Sequence, residues 1–218
     1  MLVKDVMMRH PVMVTPDTPA TEAQQIMTET QTRYLPVIED GKRLVGLVFP
    51  ERFSLSPDIL TSLNVWEITR RLSNLKVRDV MLKDKEFTTV TEDTTIERAA
   101  QILSDMDIRC LPVVEEGIVI GLITEAILLK SYQIMLGLPA NGVRVTMRIP
   151  NRLGEFNKLV KVLAENSYGV MGVGTYPSPR NEGFYDVVIK VPNITIEIAT
   201  EMLSRIPDQE LIDIRDVV

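Results

Sequence analysis

Arg33-Tyr34-Leu35-Pro36-Val37-Ile38, then a turn at Gly41, then Gly46-Leu47-Val48, returns later as Arg109-Cys110-Leu111-Pro112-Val113-Val114, a turn at Gly117 and Gly121-Leu122-Ile123-Thr124. Each copy reads as two apolar strands joined by a polar turn. An Arg enters the hairpin, a Pro sits in its first strand and a Gly opens its second. Outward from the hairpins the likeness continues. Val3-Lys4-Asp5-Val6-Met7 is echoed by Val77-Arg78-Asp79-Val80-Met81, and Val14-Thr15-Pro16-Asp17-Thr18 by Val90-Thr91-Glu92-Asp93-Thr94. A recurrence of this kind means an internal duplication, which takes precedence over any other fold reading.

Helices are predicted between the matched segments. Thr18 is a good N-cap with Pro19 at the first helical position, where a missing N–H is harmless. In the second copy Thr94 and Glu97 have capping-box spacing. Ala20, Ala23 and Met27, like Ile96, Ala99, Leu103 and Met106, recur every three or four residues and form one apolar face. Packed on the hairpin, that face gives each repeat a β-α-β-β core. A further helix is expected after each: 58–72, capped by Asp58 with Leu60, Leu63 and Ile68 inward, and 125–135. The expected divisions are 1–56 for the first repeat, 57–76 for a connecting helix and 77–136 for the second repeat.

Residues 137–142 are rich in Gly, Pro and Asn and read as a linker. Beyond them the period changes. Val143, Val145, Met147 and Ile149 alternate with polar residues, as in a half-buried strand. A turn at 150–154, a helix over 155–166, strands at 170–176 and 184–191, a helix over 195–206 and a strand at 210–217 follow. The order β-α-β-β-α-β predicts a ferredoxin-like sandwich over 143–218, with helices on one face of an antiparallel sheet. The fold class is therefore α+β throughout.

Of 218 residues, 45% are hydrophobic and 25% charged, enough to bury a real core, and the net charge is -6. An acidic chain does not present the basic surface that nucleic acid or anionic membrane requires. One cysteine, Cys110, permits no internal disulfide and fits a reducing compartment. The first ten residues lack the apolar stretch of a signal peptide, and the longest apolar run, 118–123, is too short to span a bilayer. The expected location is the cytoplasm.

The duplicated pattern resembles a pair of CBS domains, a pseudo-symmetric Bateman module of two β-α-β-β-α repeats. The segment from Val143 to Val218, with Arg144, Met147, Asn151-Arg152-Leu153-Gly154 and the following helix, resembles an ACT domain. Together the arrangement is similar to the acetoin-utilisation protein B group of bacterial proteins. The resemblance implies that the CBS pair binds an adenine nucleotide (AMP, ADP or ATP) or S-adenosylmethionine in a cleft between the repeats. The residues it points to are Arg33, Tyr34, Leu35, Pro36, Thr89, Arg109, Cys110, Leu111, Pro112 and Thr124. It also implies amino-acid binding or dimerisation by the ACT unit, with Asn151, Arg152, Leu153, Gly154 and Glu155 as candidate ligand residues.

In the family pattern a Thr holds phosphate and a following Asp holds the ribose hydroxyls. The second repeat keeps Gly121 and Thr124 but has Ile127 at the Asp position. The first keeps Gly46 but has Phe49 and Arg52 at those two positions. Each lost charge-assisted hydrogen bond costs about 1.5–3 kcal/mol. Arg33 and Arg109 can each grip a phosphate with paired donors, or form a rim ion pair. Thr124 can cap its helix or donate to an anion there. Gly154 lets the chain turn tightly, with or without a carboxylate on the bare backbone. Cys110, within an apolar strand, reads as an inert thiol.

His10 is the only histidine, so zinc sites of the usual kinds are out of reach. Ser-His or Cys-His catalysis could only use His10, and nothing nearby in the sequence supports either. No phosphate-binding glycine loop is present. Neither catalysis, a metal nor a cofactor is expected. Two readings remain open. One is a regulatory ligand-binding protein, homodimeric, that senses a small anionic metabolite. The other is a dimeric scaffold with vestigial clefts that docks on a partner enzyme.

Overall fold

The computed structural model describes residues 1–53, 74–83 and 86–217, so the predicted helix over 58–72 lies outside the described residues. The chain divides into two compact units, Met1–Leu128 and Leu129–Val218.

Unit 1 contains α1 (Val3–Val6), β1 (Met8–Arg9), α2 (Ala20–Glu29), β2 (Leu35–Glu39), β3 (Arg43–Val48), a 3-10 turn at Pro50–Phe53, α3 (Val77–Val80), β4 (Leu82–Lys83), α4 (Ile96–Asp105), β5 (Cys110–Glu115) and β6 (Ile118–Thr124). The helix α5 (Glu125–Met135) follows directly and carries the unit boundary. Both quoted stretches are antiparallel hairpins, β2–β3 and β5–β6, and both slip register at the same place, after Val37 and after Val113. Pro36 and Pro112 are tolerated because β2 and β5 each have a strand partner on one side only. On the other side each Pro offers its carbonyl to a single residue, Val14 N or Val90 N, at 3.1 Å in both copies.

The two repeats are stitched together by exchange of their opening segments. Val77 N donates to Thr18 O at 2.9 Å and Val3 N to Thr94 O at 2.8 Å, so α3 starts on the first repeat and α1 on the second. β1 then pairs with β6, and β4 with β3. Val77 accordingly lies in the first repeat's core with Val14, Ala23, Met27, Leu35, Val37 and Phe53. Gly46 and Gly121 make this crossing possible. A Cβ at Gly46 would stand 2.7 Å from Leu82 O, and one at Gly121 would stand 2.6 Å from Met7 Sδ. Asp5 and Asp79 fix the openings, each accepting a hydrogen bond from a backbone N–H three residues earlier.

The caps differ from the sequence reading by one residue. Thr95, not Thr94, caps α4, accepting from Arg98 N at 3.2 Å, and Pro19 occupies the N-cap of α2 without a side-chain bond. Thr18 and Thr94 instead pair their hydroxyls with Thr15 and Thr91 in the preceding turn. Their carbonyls are needed by the exchanged segments, which keeps both residues outside the helix.

Unit 2 contains β7 (Gly142–Pro150), α6 (Glu155–Glu165), β8 (Gly172–Pro177), β9 (Phe184–Val191), α7 (Ile196–Leu203) and β10 (Glu210–Val217). Its sheet is antiparallel in the order β10-β7-β9-β8. Val143, Val145, Met147 and Ile149 of β7 and Val187, Ile189 and Val191 of β9 face one way. They form one core with Leu159 and Leu163 of α6 and Ala199 and Leu203 of α7. The period-two alternation thus puts both helices on one face.

Candidate ligand-binding crevice

A cavity of about 330 Å³ opens in unit 1, lined from both repeats. Tyr34, Leu47, Phe49 and Glu51 come from the first. Leu82, Phe87, Asp107, Ile108, Arg109 and Cys110 come from the second. Tyr34 and Cys110 stand at equivalent positions, with Arg109 just before Cys110, where each repeat enters its hairpin, so the duplication brings them together. The rings of Tyr34 and Phe49 lie 6.1 Å apart and tilted at 53°, forming an aromatic wall. Partial burial raises the Tyr34 phenol above its ordinary pKa. Cys110 is buried, and desolvation pushes its thiol far up, so it is uncharged at neutral pH.

The predicted nucleotide residues do not all reach this crevice. Tyr34, Arg109 and Cys110 line it. Leu35 and Leu111 are fully buried core, and Pro36 and Pro112 are buried in the same strands. Thr89 is half-buried beside Val90. Arg33 pairs with Glu51. Thr124 accepts a hydrogen bond from Ile127 N at 3.3 Å, the N-cap bond of α5. Arg52, at the position of a ribose-binding carboxylate, instead donates from Nε to Val80 O at 2.8 Å. It ties the 3-10 turn to α3. Phe49 forms a wall and leaves the crevice open.

Phe87, Leu82, Asp107 and Glu51 are lining residues that sequence reasoning missed. Leu82 belongs to an exchanged strand, and Phe87 and Asp107 to loops whose placement follows from tertiary pairing. Only Glu51, two residues past Phe49, stood close to a recognised motif.

In unit 2 the turn 151–155 is held by its own side chains. Gly154 has φ +89 and caps α6, a backbone geometry that side chains disfavour. Glu155 is buried and accepts from Arg152 Nη2 at 2.9 Å, Lys158 Nζ at 3.0 Å and Gln209 Nε2 at 3.3 Å. These bonds, Lys158's foremost, hold its carboxyl below the usual range. Leu153 projects fully into solvent. Asn151 lines a separate open cleft of about 480 Å³ with the 177–185 turn. Arg152 and Glu155 thus meet in one ion-pair cluster, with Leu153 turned to solvent and Asn151 on the other cleft.

Among the described residues no helix is long and apolar enough to cross a membrane, and no group of three or more His, Cys, Asp or Glu side chains is placed to hold a metal ion.

Comparison with known proteins agrees with the duplication. The CBS domain family model matches residues 3–50 and 77–133. An uncharacterized protein of Methanocaldococcus jannaschii is 29% identical over 134 residues, 60% of this chain and 47% of that one. Its crystal structure superposes with a TM-score of 0.50 at 28% identity, over 60% of this chain and 47% of that one. Inosine-5'-monophosphate dehydrogenase of Aquifex aeolicus is 31% identical over 119 residues, 54% of this chain but 22% of the enzyme, so the similarity covers a minor part of it. An acetoin utilization protein (AcuB) of Vibrio cholerae superposes with a TM-score of 0.50 at 23% identity, over 61% of this chain and 90% of that one, a likeness of fold. The chain spans about half the length, or less, of the first curated relatives it matches. With the exchanged repeats and the crevice between them, these matches identify residues 3–50 and 77–133 of this chain as a pair of CBS domains.

Proposed function

We propose that the protein is a non-catalytic regulator whose CBS pair binds a small adenine-containing ligand in the crevice beside Tyr34 and Arg109. The observation that carries this reading is the joint lining of that crevice by both repeats. A ligand seated there touches both halves and favours one packing of the pair over another, which is how binding shifts a population. Tyr34, Phe49 and Phe87 offer faces to a flat base, and Arg109 offers paired donors to a phosphate. Glu51 and Asp107 supply the ribose-hydroxyl acceptors that the usual motif position lacks. The two carboxylates weigh against heavily charged ligands. The volume stands near the lower end of small-molecule pockets, about 300–1,000 Å³. AMP and S-adenosylmethionine therefore fit better than ADP or ATP.

Unit 2 is read as an ACT domain that joins two copies of the chain or binds an amino acid. Its edge strand β8 exposes Val173 and Tyr176, as a strand poised for pairing does. This reading takes the protein as a cytoplasmic homodimer, with neither nucleic acid nor membrane as partner; docking on a partner enzyme belongs to the scaffold reading. The second reading, a dimeric scaffold with an empty crevice, is favoured by Arg52 and Thr124, which both serve backbone groups.

Calorimetry of the full chain with AMP, ADP, ATP and S-adenosylmethionine separates the two. Sensing predicts binding of AMP or S-adenosylmethionine well below millimolar, weakened at least about tenfold by Arg109→Ala. Millimolar or weaker binding of all four leaves the scaffold.

A further inference from the structure

The second face of the unit 2 sheet carries a buried charge that neither the crevice nor the 151–155 turn uses. Alternation on β9 turns Asp186, Val188 and Lys190 away from the helices. Residues 136–138 lie across that face. A Cβ at Gly172 would stand 2.4 Å from the Leu136 carbonyl carbon, and one at Gly137 would stand 3.1 Å from Lys190 Cδ. Beneath this strap Lys190 is 3% exposed, and its Nζ has no hydrogen-bond partner among the described residues.

The other buried charge on this face is satisfied: Asp186 takes Arg148 Nε at 2.9 Å and Nη2 at 3.2 Å. Lys190 instead faces Arg144 across the strands. Arg144 is held by Asp213 at 3.0 Å and by Thr146 at 3.1 Å, and Asp213 also receives Arg215. Asp213 thus serves two cations, Arg144 and Arg215, and the buried Lys190 has no carboxylate partner among the described residues. A desolvated ammonium without an acceptor is strongly unfavourable. An arriving anion would relieve it.

Nζ is itself closed off from the cavity beside it, so the flexible Lys190 stem must turn for an anion to meet it; the space for that anion is present. A cavity of about 360 Å³ is lined by Lys190 and Arg144 together with Leu136, Leu138, Tyr176 and Val188. No acidic side chain lines it among the described residues, so a ligand ammonium would find no counter-charge. We propose that this cavity binds a small monocarboxylate with an apolar body, its carboxylate on Lys190 Nζ and its hydrocarbon against Leu136, Leu138 and Val188. This site is separate from the nucleotide crevice, and its test stands independently of that reading.

The test titrates the full chain with 4-methylpentanoate, following the methyl resonances of Leu136, Leu138 and Val188. 4-Methylpentanamide, leucine and inorganic phosphate serve as comparators. The proposal expects saturable shifts centred on those methyls, with all three comparators at least about tenfold weaker. Lys190→Met should unfold at a higher temperature than the parent without ligand, and should bind 4-methylpentanoate at least about tenfold more weakly. The proposal is overturned by equal binding of acid and amide, by shifts centred elsewhere, by undiminished binding in Lys190→Met, or by a lowered unfolding temperature in that variant. The last result would mean that the ammonium already has an acceptor in the folded chain.

Discussion

Replacing Gly46 by Ala tests the exchange of opening segments directly. A methyl there would stand 2.7 Å from both Leu82 O and Met81 Sδ. The methionine can swing away, but the carbonyl belongs to β4, which is paired with β3 at Leu47 and Gly46. The strand itself must move, and with it Val77 in the first repeat's core. Overpacking of this kind costs about 1–3 kcal/mol. For a unit of this size that is a fall in melting temperature of about 4–12 °C. Gly121→Ala meets chiefly Met7 Sδ at 2.6 Å and only more loosely Met8 O at 3.0 Å. A double-mutant cycle with Met7→Ala should therefore recover about 1 kcal/mol or more of its cost, whereas the corresponding cycle of Gly46→Ala with Met81→Ala should recover less. Differential scanning calorimetry of the parent and the six variants reads both effects. If Gly46→Ala melts with the parent, or the two cycles give equal coupling, the opening segments do not cross as described.

Three other outcomes follow from single side chains. Arg148→Leu strands the buried Asp186 carboxylate and should cost about 3 kcal/mol in urea unfolding, whereas Lys161→Leu, at an exposed pair, should change stability by under about 0.5 kcal/mol. Glu155 is held below its ordinary pKa of 4.5, so its contribution is complete above that value and is lost as pH falls through the lower folded value. Between about pH 5 and pH 3 the melting temperature of the parent should thus fall more steeply than that of Glu155→Gln. Cys110, buried and with its thiol pushed far up, should resist iodoacetamide at pH 8 in the folded protein and react once the chain is unfolded in urea.

Much of the fold was legible because the signals were local. Val143, Val145, Met147 and Ile149 announced β7, and its neighbour was read over 184–191. The predicted limits of α5, β9 and β10 match those observed. The hairpins were readable from their shared Arg-x-Leu-Pro entries. Non-local features were not. Nothing in Val77-Arg78-Asp79-Val80-Met81 says that it completes the other repeat. That exchange is set by Gly46 and Gly121 and by the carbonyls of Thr18 and Thr94, and it displaced the predicted caps by one residue. Tyr34, Arg109 and Cys110, which line the crevice, were among the residues the resemblance pointed to, and they stand at hairpin entries that the duplication brings together. Phe87 and Asp107 were not, since loops carry no periodic pattern. Lys190 carried no signal of its own in the sequence. Its burial depends on the strap at 136–138, which composition marks only as a break.

The crevice beside Tyr34 and Arg109 is tested most directly by a crystal of the full chain grown with AMP or S-adenosylmethionine, whichever binds more tightly in calorimetry. Binding in the proposed manner places the base against Tyr34 and Phe49, and the phosphate or charged tail toward Arg109. Electron density for the ligand at another surface, or an unaltered crevice at saturating ligand, contradicts it.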